Sequence, residues 1–207
     1  MKIKALLLDF GGVLYDIDPQ RTINEFMKLS APNSKFRELT QYNYSTMPFL
    51  SEYEKGAISS EQFREQAAAL LGIAPSIAID NAWNQTLLGI KANMDRVLEE
   101  LAADYPLYLL SNTNEIHHNY FAEECDIIFK SFKRCYFSYQ MEMHKPDSSI
   151  FLAVAKDLSL EPKDILFADD MQANIDAANQ LGFNTYKVDE QSNSMYNLSN
   201  YLHSVSI

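Results

Sequence analysis

The chain has 207 residues, 47% hydrophobic and 22% charged, with a formal charge of -11 and an isoelectric point near 4.7. That length supports one full core, or a core with a smaller inserted unit, and so acidic a balance argues against a nucleic-acid or anionic-membrane partner. The apolar runs are strand-sized, well short of the roughly 20 residues that span a bilayer.

MKIKALLLDF lacks a signal-peptide pattern. Cys125 and Cys135 make neither a CxxC pair nor a Cys/His cluster. A cytoplasmic protein with reduced thiols is the expectation.

In chain order, IKALLLD from Ile3 reads as a buried strand that ends in Asp9, after which the chain turns on Gly11 and Gly12. From about Tyr15 to Ala92 no strand-like run appears. This interval holds amphipathic helical segments at Arg21–Leu29, Lys35–Tyr42, Glu61–Leu71 and Ile77–Leu88, broken by Pro32, Pro48, Gly56 and the Gly72–Pro75 stretch. It reads as a helical insertion. Its aromatics (Phe36, Tyr42, Tyr44, Phe49, Tyr53, Phe63, Trp83) are better explained as packing for a small helical unit than as pocket lining.

Beyond the insertion, a helical pattern from Met94 leads to a strand, PLYLLSN from Pro106, ending in Ser111–Asn112. His117 and His118 follow on a helix, where adjacent side chains point apart and make no metal pair. CYFS at Cys135 is a weaker strand candidate. HKPD places Lys145 ahead of a helix from Ser148, DILFADD from Asp164 ends in Asp169–Asp170, Asn174–Leu181 is helical, and NTYKV from Asn184 is the last strand. Alternating strands and helices predict an α/β fold, with a parallel Rossmann-like sheet wrapped by helices and an inserted helical cap subdomain. The expected division is a core of residues 1–15 and 92–207 and a cap of 16–91.

In such a sheet the carboxyl ends of the strands form one rim where ligands bind. That rim would gather Asp9, Asp169, Asp170, Ser111, the Gly11–Gly12 turn and Lys145. The set suits a phosphoryl group held with Mg²⁺: oxygens for a hard cation, a lysine and amides for phosphate oxygens, and a carboxylate left to attack phosphorus. Singly, each residue is as well explained as a helix cap or a turn residue; the ordered set is not.

LLLDFGGVL, LLSNTN, HKPD and FADDMQANIDAANQLG resemble, in order, the four motifs of the haloacid dehalogenase-like (HAD) superfamily of hydrolases. YEKGAISSEQF resembles the helical cap of one of its branches. The resemblance implies that Asp9 is the nucleophile and a Mg²⁺ ligand, and that Ser111 and the Asn112 amide hold phosphoryl oxygens. It further implies that Lys145 neutralises the nucleophile and phosphate, that Asp170, helped by Asp169, completes the metal site, and that Asn174 supports it. The substrate would be a small phosphorylated metabolite, with a sugar phosphate as one option.

One position departs from the family's phosphatase pattern. The residue two after the nucleophile is ordinarily a second Asp that acts as general acid and base; here it is Gly11. Glycine still offers its backbone carbonyl to the metal but no proton, a loss of about 10²–10⁴-fold in rate. Three accounts follow: a phosphatase whose substrate has a good leaving group, such as an anomeric sugar phosphate or an acyl phosphate, a metal-independent dehalogenase, or a non-catalytic phospholigand binder. The first is preferred, because a D-F-G-G-V first motif resembles a phosphatase branch of the family; the Asp169–Asp170 pair, which calls for a cation, argues against the dehalogenase. Asp16 or Asp18 could assist water attack, although Asp18 before Pro19 also reads as a cap. Arg21, Tyr44, Glu52 and Lys55 are candidates for substrate contact, and His144 reads as an exposed loop residue. Oligomeric state is not legible.

Overall fold

A computed structural model describes residues 3–39, 46–189 and 194–205. Strand β1 (Ala5–Leu8) is the uninterrupted apolar run ALLL, every residue buried, and each such leucine contributes roughly 1.5–3 kcal/mol by leaving water. With β4 (Leu107–Ser111), β5 (Phe132–Phe137), β6 (Ile165–Asp169) and β7 (Asn184–Lys187) it forms a five-stranded sheet in the order β5-β4-β1-β6-β7. All neighbouring pairs are parallel, with Leu6 opposite Leu107 on one side and Leu166 on the other. The weak CYFS candidate is therefore part of a real edge strand, whose central Lys133 and Arg134 conceal the apolar pattern.

This order makes the chain reverse direction across the sheet between β1 and β6, the switch point at which such sheets bind ligands. Asp9 follows β1 and Asp169–Asp170 close β6, so the reversal brings the acidic residues together. Helices cover both faces. On one face α6 (Met94–Asp104), α7 (Glu115–Phe129) and α10 (Leu198–Val205) pack over Leu6, Leu8 and Leu109. On the other, α8 (Ser148–Leu158) and α9 (Gln172–Gln180) pack over Leu7, Leu110 and Phe167.

The helices between Ile17 and Leu87 build a separate apolar cluster around Phe26, Phe36, Phe63 and Leu71. They are α1 (Pro19–Leu29), α2 (Lys35–Glu38), α3 (Pro48–Glu54), α4 (Ser60–Leu71) and α5 (Ile77–Trp83). Local sequence sets their ends. Asp18 caps α1 by accepting from Gln20 N, with Pro19 at the first helical position. Ser59 and Gln62 form a reciprocal capping box for α4, which stops at Gly72.

Two expectations for this interval are corrected. It does contain strands: β2 (Tyr15–Ile17) and β3 (Leu87–Ile90) pair antiparallel where the insertion leaves and rejoins the core. At three and four residues they are too short to show alternation. The segment expected to be helical from Ile77 to Leu88 stops at Trp83, passes through a 3₁₀ turn at Asn84–Thr86 and becomes β3, with Gly89 at a φ of 135°. Helix α3 starts at Pro48, where the sequence reading places only a break between helices. The expected Lys35–Tyr42 helix is α2 as far as Glu38; Tyr42 and Tyr44 lie outside the described residues.

Candidate active site

Lys145, buried to 3% exposure, places its ammonium 2.6 Å from Asp9 Oδ1 and 2.7 Å from Asp169 Oδ2. Asp9 itself is 7% exposed and Asp169 fully enclosed. Asp169 accepts further bonds from the backbone N–H of Met171 (2.7 Å) and from the side-chain amide of Asn174 (3.0 Å to each oxygen). Its carboxylate is thus held by an ammonium and two amides. Asp170 is half-buried, and its backbone carbonyl accepts from Lys187 Nζ. One carboxylate oxygen from each of Asp9, Asp169 and Asp170 lies within 4.8 Å of the others.

Three acids around one ammonium leave excess negative charge in a dry place. Burial pushes the Asp9 carboxyl up to about 8; Lys145 opposes this, and Asp169 and Asp170 add to it. Burial followed by the Asp169 charge also raises Asp170. Lys145 is pulled down by burial, but the two carboxylates more than restore its charge. A divalent cation would relieve the repulsion, and the donor set is all oxygen, as Mg²⁺ requires.

The turn after Asp9 shapes the rest. Gly12 has a φ of 77°, and a Cβ there would overlap the Asp170 carboxylate, so only glycine lets these two strand ends meet. Gly11 is different. Its φ is ordinary, and a Cβ would rest 3.4 Å from Ile17 Cδ1, in normal contact. Nothing in the backbone demands glycine at this position.

Ser111, at the end of β4, is 2% exposed. Asn112 has its side chain committed: Nδ2 donates to the Lys145 carbonyl and Oδ1 accepts from the Lys145 N–H, each at 2.8 Å. Any contact it makes with a bound anion therefore comes from its backbone N–H. The loop is braced by Ser138, whose hydroxyl donates to Thr113 O and accepts from Thr113 N, both at 2.9 Å. No sequence signal marked Ser138, which lies 25 positions from Thr113.

His144 is not an exposed loop residue. Its side chain is 15% exposed, and Nε2 lies 2.9 Å from Ser51 Oγ on α3, joining the HKPD loop to the inserted helices. Asp147 pairs with Lys55 at 3.1 Å across the same junction. Asp16 is paired with Lys91 at 3.1 Å, and Asp18 is occupied in capping α1.

Beside Gly11, Ser111 and Asn112 opens a cavity of about 360 Å³ between the sheet rim and the inserted helices. Phe36 and Trp83 line it, whereas Phe49, Tyr53 and Phe63 pack inside the helical cluster. Arg21, Glu52 and Lys55 are not among its lining residues; Glu54 is.

Residues 3–182 match the haloacid dehalogenase-like hydrolase family. The chain belongs to that family. It is 32% identical over 194 residues to a D-ribitol-5-phosphate phosphatase of Bacteroides thetaiotaomicron, covering 89% of this chain and 91% of that one. A HAD family enzyme of the same organism, solved in complex with magnesium and inorganic phosphate, superposes with a TM-score of 0.80 at 34% identity, covering 92% and 96% of the two chains. A HAD-like family hydrolase of Porphyromonas gingivalis gives a TM-score of 0.82 at 28% identity, with 98% of each chain covered. This hydrolase carries its acidic cluster at the carboxyl ends of central parallel strands. Among the described residues, no helix is long and apolar enough to cross a membrane.

Proposed function

We propose that this HAD-family hydrolase is a Mg²⁺-dependent phosphatase of small phosphorylated metabolites that works through an aspartyl-phosphate on Asp9. The observation that carries the reading is Asp9 itself, a buried carboxylate 2.6 Å from an enclosed ammonium and beside two further acids. Similarity to a ribitol-phosphate phosphatase and to an enzyme that binds magnesium and phosphate supports it.

Asp9, Asp170 and the Gly11 carbonyl would hold the cation, with Asp169 behind them. Bound there, Mg²⁺ would neutralise charge on the phosphoryl oxygens. Ser111 Oγ and the Asn112 N–H would receive two of those oxygens, and Lys145 would balance the charge of Asp9 and phosphate together. An Asp9 oxygen attacks phosphorus in line as the bond to the leaving alcohol breaks. Water then attacks the same phosphorus, phosphate departs, and the Asp9 carboxylate is regenerated. The helical cap of residues 16–91 would exclude bulk water during both steps. Thiol pKa values raised by burial at Cys125 and Cys135, and at Cys125 also by the Glu124 charge, suit inert reduced cysteines in a cytoplasmic enzyme.

The test is phosphate release from a panel of phosphate esters with and without Mg²⁺, beside Asp9→Asn. Turnover that requires Mg²⁺ and disappears in the variant supports the reading. Turnover that survives Asp9→Asn removes the aspartyl-phosphate.

A further inference from the structure

The cavity beside Ser111 and Gly11 has a lining unlike what a polyol would need. Its walls include Ile23, Phe26, Phe36, Leu50, Trp83 and Phe121. Two of the aromatics are held in a stack: Trp83 lies 10° from the plane of Phe26 and 14° from that of His117. These faces are preset rather than adaptable.

Its polar side chains are largely turned to the protein. Thr22 donates its hydroxyl toward the carbonyls of Ala82 (3.1 Å) and Trp83 (2.9 Å). Trp83 Nε1 donates to Asn114 Oδ1 at 3.3 Å, and the His117 ring nitrogens are engaged by Asn114 and the Trp83 carbonyl. The Asn112 side chain is held by Lys145. Among the described lining residues there is no lysine or arginine, and Glu54 is the carboxylate. A second anionic group on the ligand would meet no cationic side chain among these residues, and a row of hydroxyls would find few partners beyond Glu54, Thr86 and Thr113.

Gly11 adds an independent constraint. Position 11 supplies no side-chain acid to protonate the departing oxygen, which favours an alcohol that leaves as a stable anion. A phenol titrates near 10, whereas an alkanol resembles water, at about 15.7.

We propose that the cavity takes an apolar ring-bearing leaving group of phenol-like acidity, so that the substrate class is an aryl phosphate rather than a polyol phosphate. This rests on the phosphatase reading above. In the first step the Asp9 oxygen forms the bond to phosphorus, the phenolic oxygen keeps the electron pair of the broken bond, and it takes its proton from water after leaving. In the second, water supplies the oxygen that releases phosphate.

The experiment pairs binding with turnover in the full-length protein with Mg²⁺. Calorimetry should find phenylphosphonate bound roughly tenfold to hundredfold more tightly than methylphosphonate, the worth of burying one ring. The kcat/KM for phenyl phosphate should exceed that for D-ribitol 5-phosphate, and Ile23→Gln should erode the phosphonate difference while sparing methylphosphonate affinity. Equal affinity for the two phosphonates, or preference for the ribitol ester, overturns the inference. Selective phenylphosphonate binding with no ester hydrolysed leaves the cavity's preference standing and overturns the phosphatase reading instead.

Discussion

Asn112 grips the backbone of Lys145 at both ends of its side-chain amide, donating to the carbonyl and accepting from the N–H at 2.8 Å each. This pair of bonds ties the loop after β4 to the HKPD loop and so aims the ammonium at Asp9. A displacement of about 1 Å in a catalytic group can cost 10²-fold. Asn112→Ala, which keeps the backbone N–H, is expected to lower kcat by about that factor and to change KM far less. Steady-state kinetics would show it. A variant with wild-type kcat would mean that Lys145 is positioned without Asn112.

Lys145 also holds the folded site together. Removing one partner from a buried ionic cluster costs about 3–5 kcal/mol because the remaining charges are left uncompensated. Lys145→Met should lose that much stability in urea unfolding without divalent ions, and Mg²⁺ should restore part of it by binding only the native state. If the variant unfolds at the same urea concentration as wild type, the ammonium is not what balances the acids.

Gly11→Asp places a carboxyl where the backbone admits one, since a Cβ meets Ile17 at an ordinary 3.4 Å. The restored acid should help poor leaving groups most. On benzyl phosphate, kcat should rise by up to about 10²-fold, with a much smaller change on phenyl phosphate. A uniform effect on both esters would show that protonation of the leaving group is not what Gly11 gives up.

His117 provides a pH signature in stability. Buried against Trp83, its imidazole is pushed down by burial to about 4, against which the bond to the Trp83 carbonyl acts only partly. The neutral ring is favoured in the native state and the proton in the unfolded one. Its contribution is therefore complete above pH 6.5 and is lost as pH falls toward 4, up to about 3 kcal/mol. Wild type should lose stability over that window more steeply than His117→Gln; parallel pH curves would show that His117 does not contribute.

The central strands and the rim residues were legible because they depend on short-range pattern. A run such as ALLL can be satisfied only inside a sheet, and a polar residue straight after it must lie at the strand's end. Asp9, Ser111, Asn112, Asp169 and Asp170 could be named on that basis, and Lys145 as a residue leading into a helix; the structure brings Asp9, Lys145, Asp169 and Asp170 into one cluster. Pairings as short as β2 with β3 escaped because three residues carry no period. Arg21, Glu52 and Lys55 looked like pocket residues only because polarity is visible in sequence and direction is not.

Residue type and local spacing were enough for the α/β architecture and the acidic rim, whereas the missing acid at Gly11 was legible only through the family resemblance. Tertiary structure alone decided what those residues face. It set Asn112 on the Lys145 backbone, Asn174 on Asp169 and His144 against Ser51, and it turned the polar atoms of Thr22, Trp83 and His117 away from the cavity. A side chain's hydrogen-bond partner is chosen by where distant segments come to rest. That placement is settled by burial of the whole core, not by neighbours along the chain.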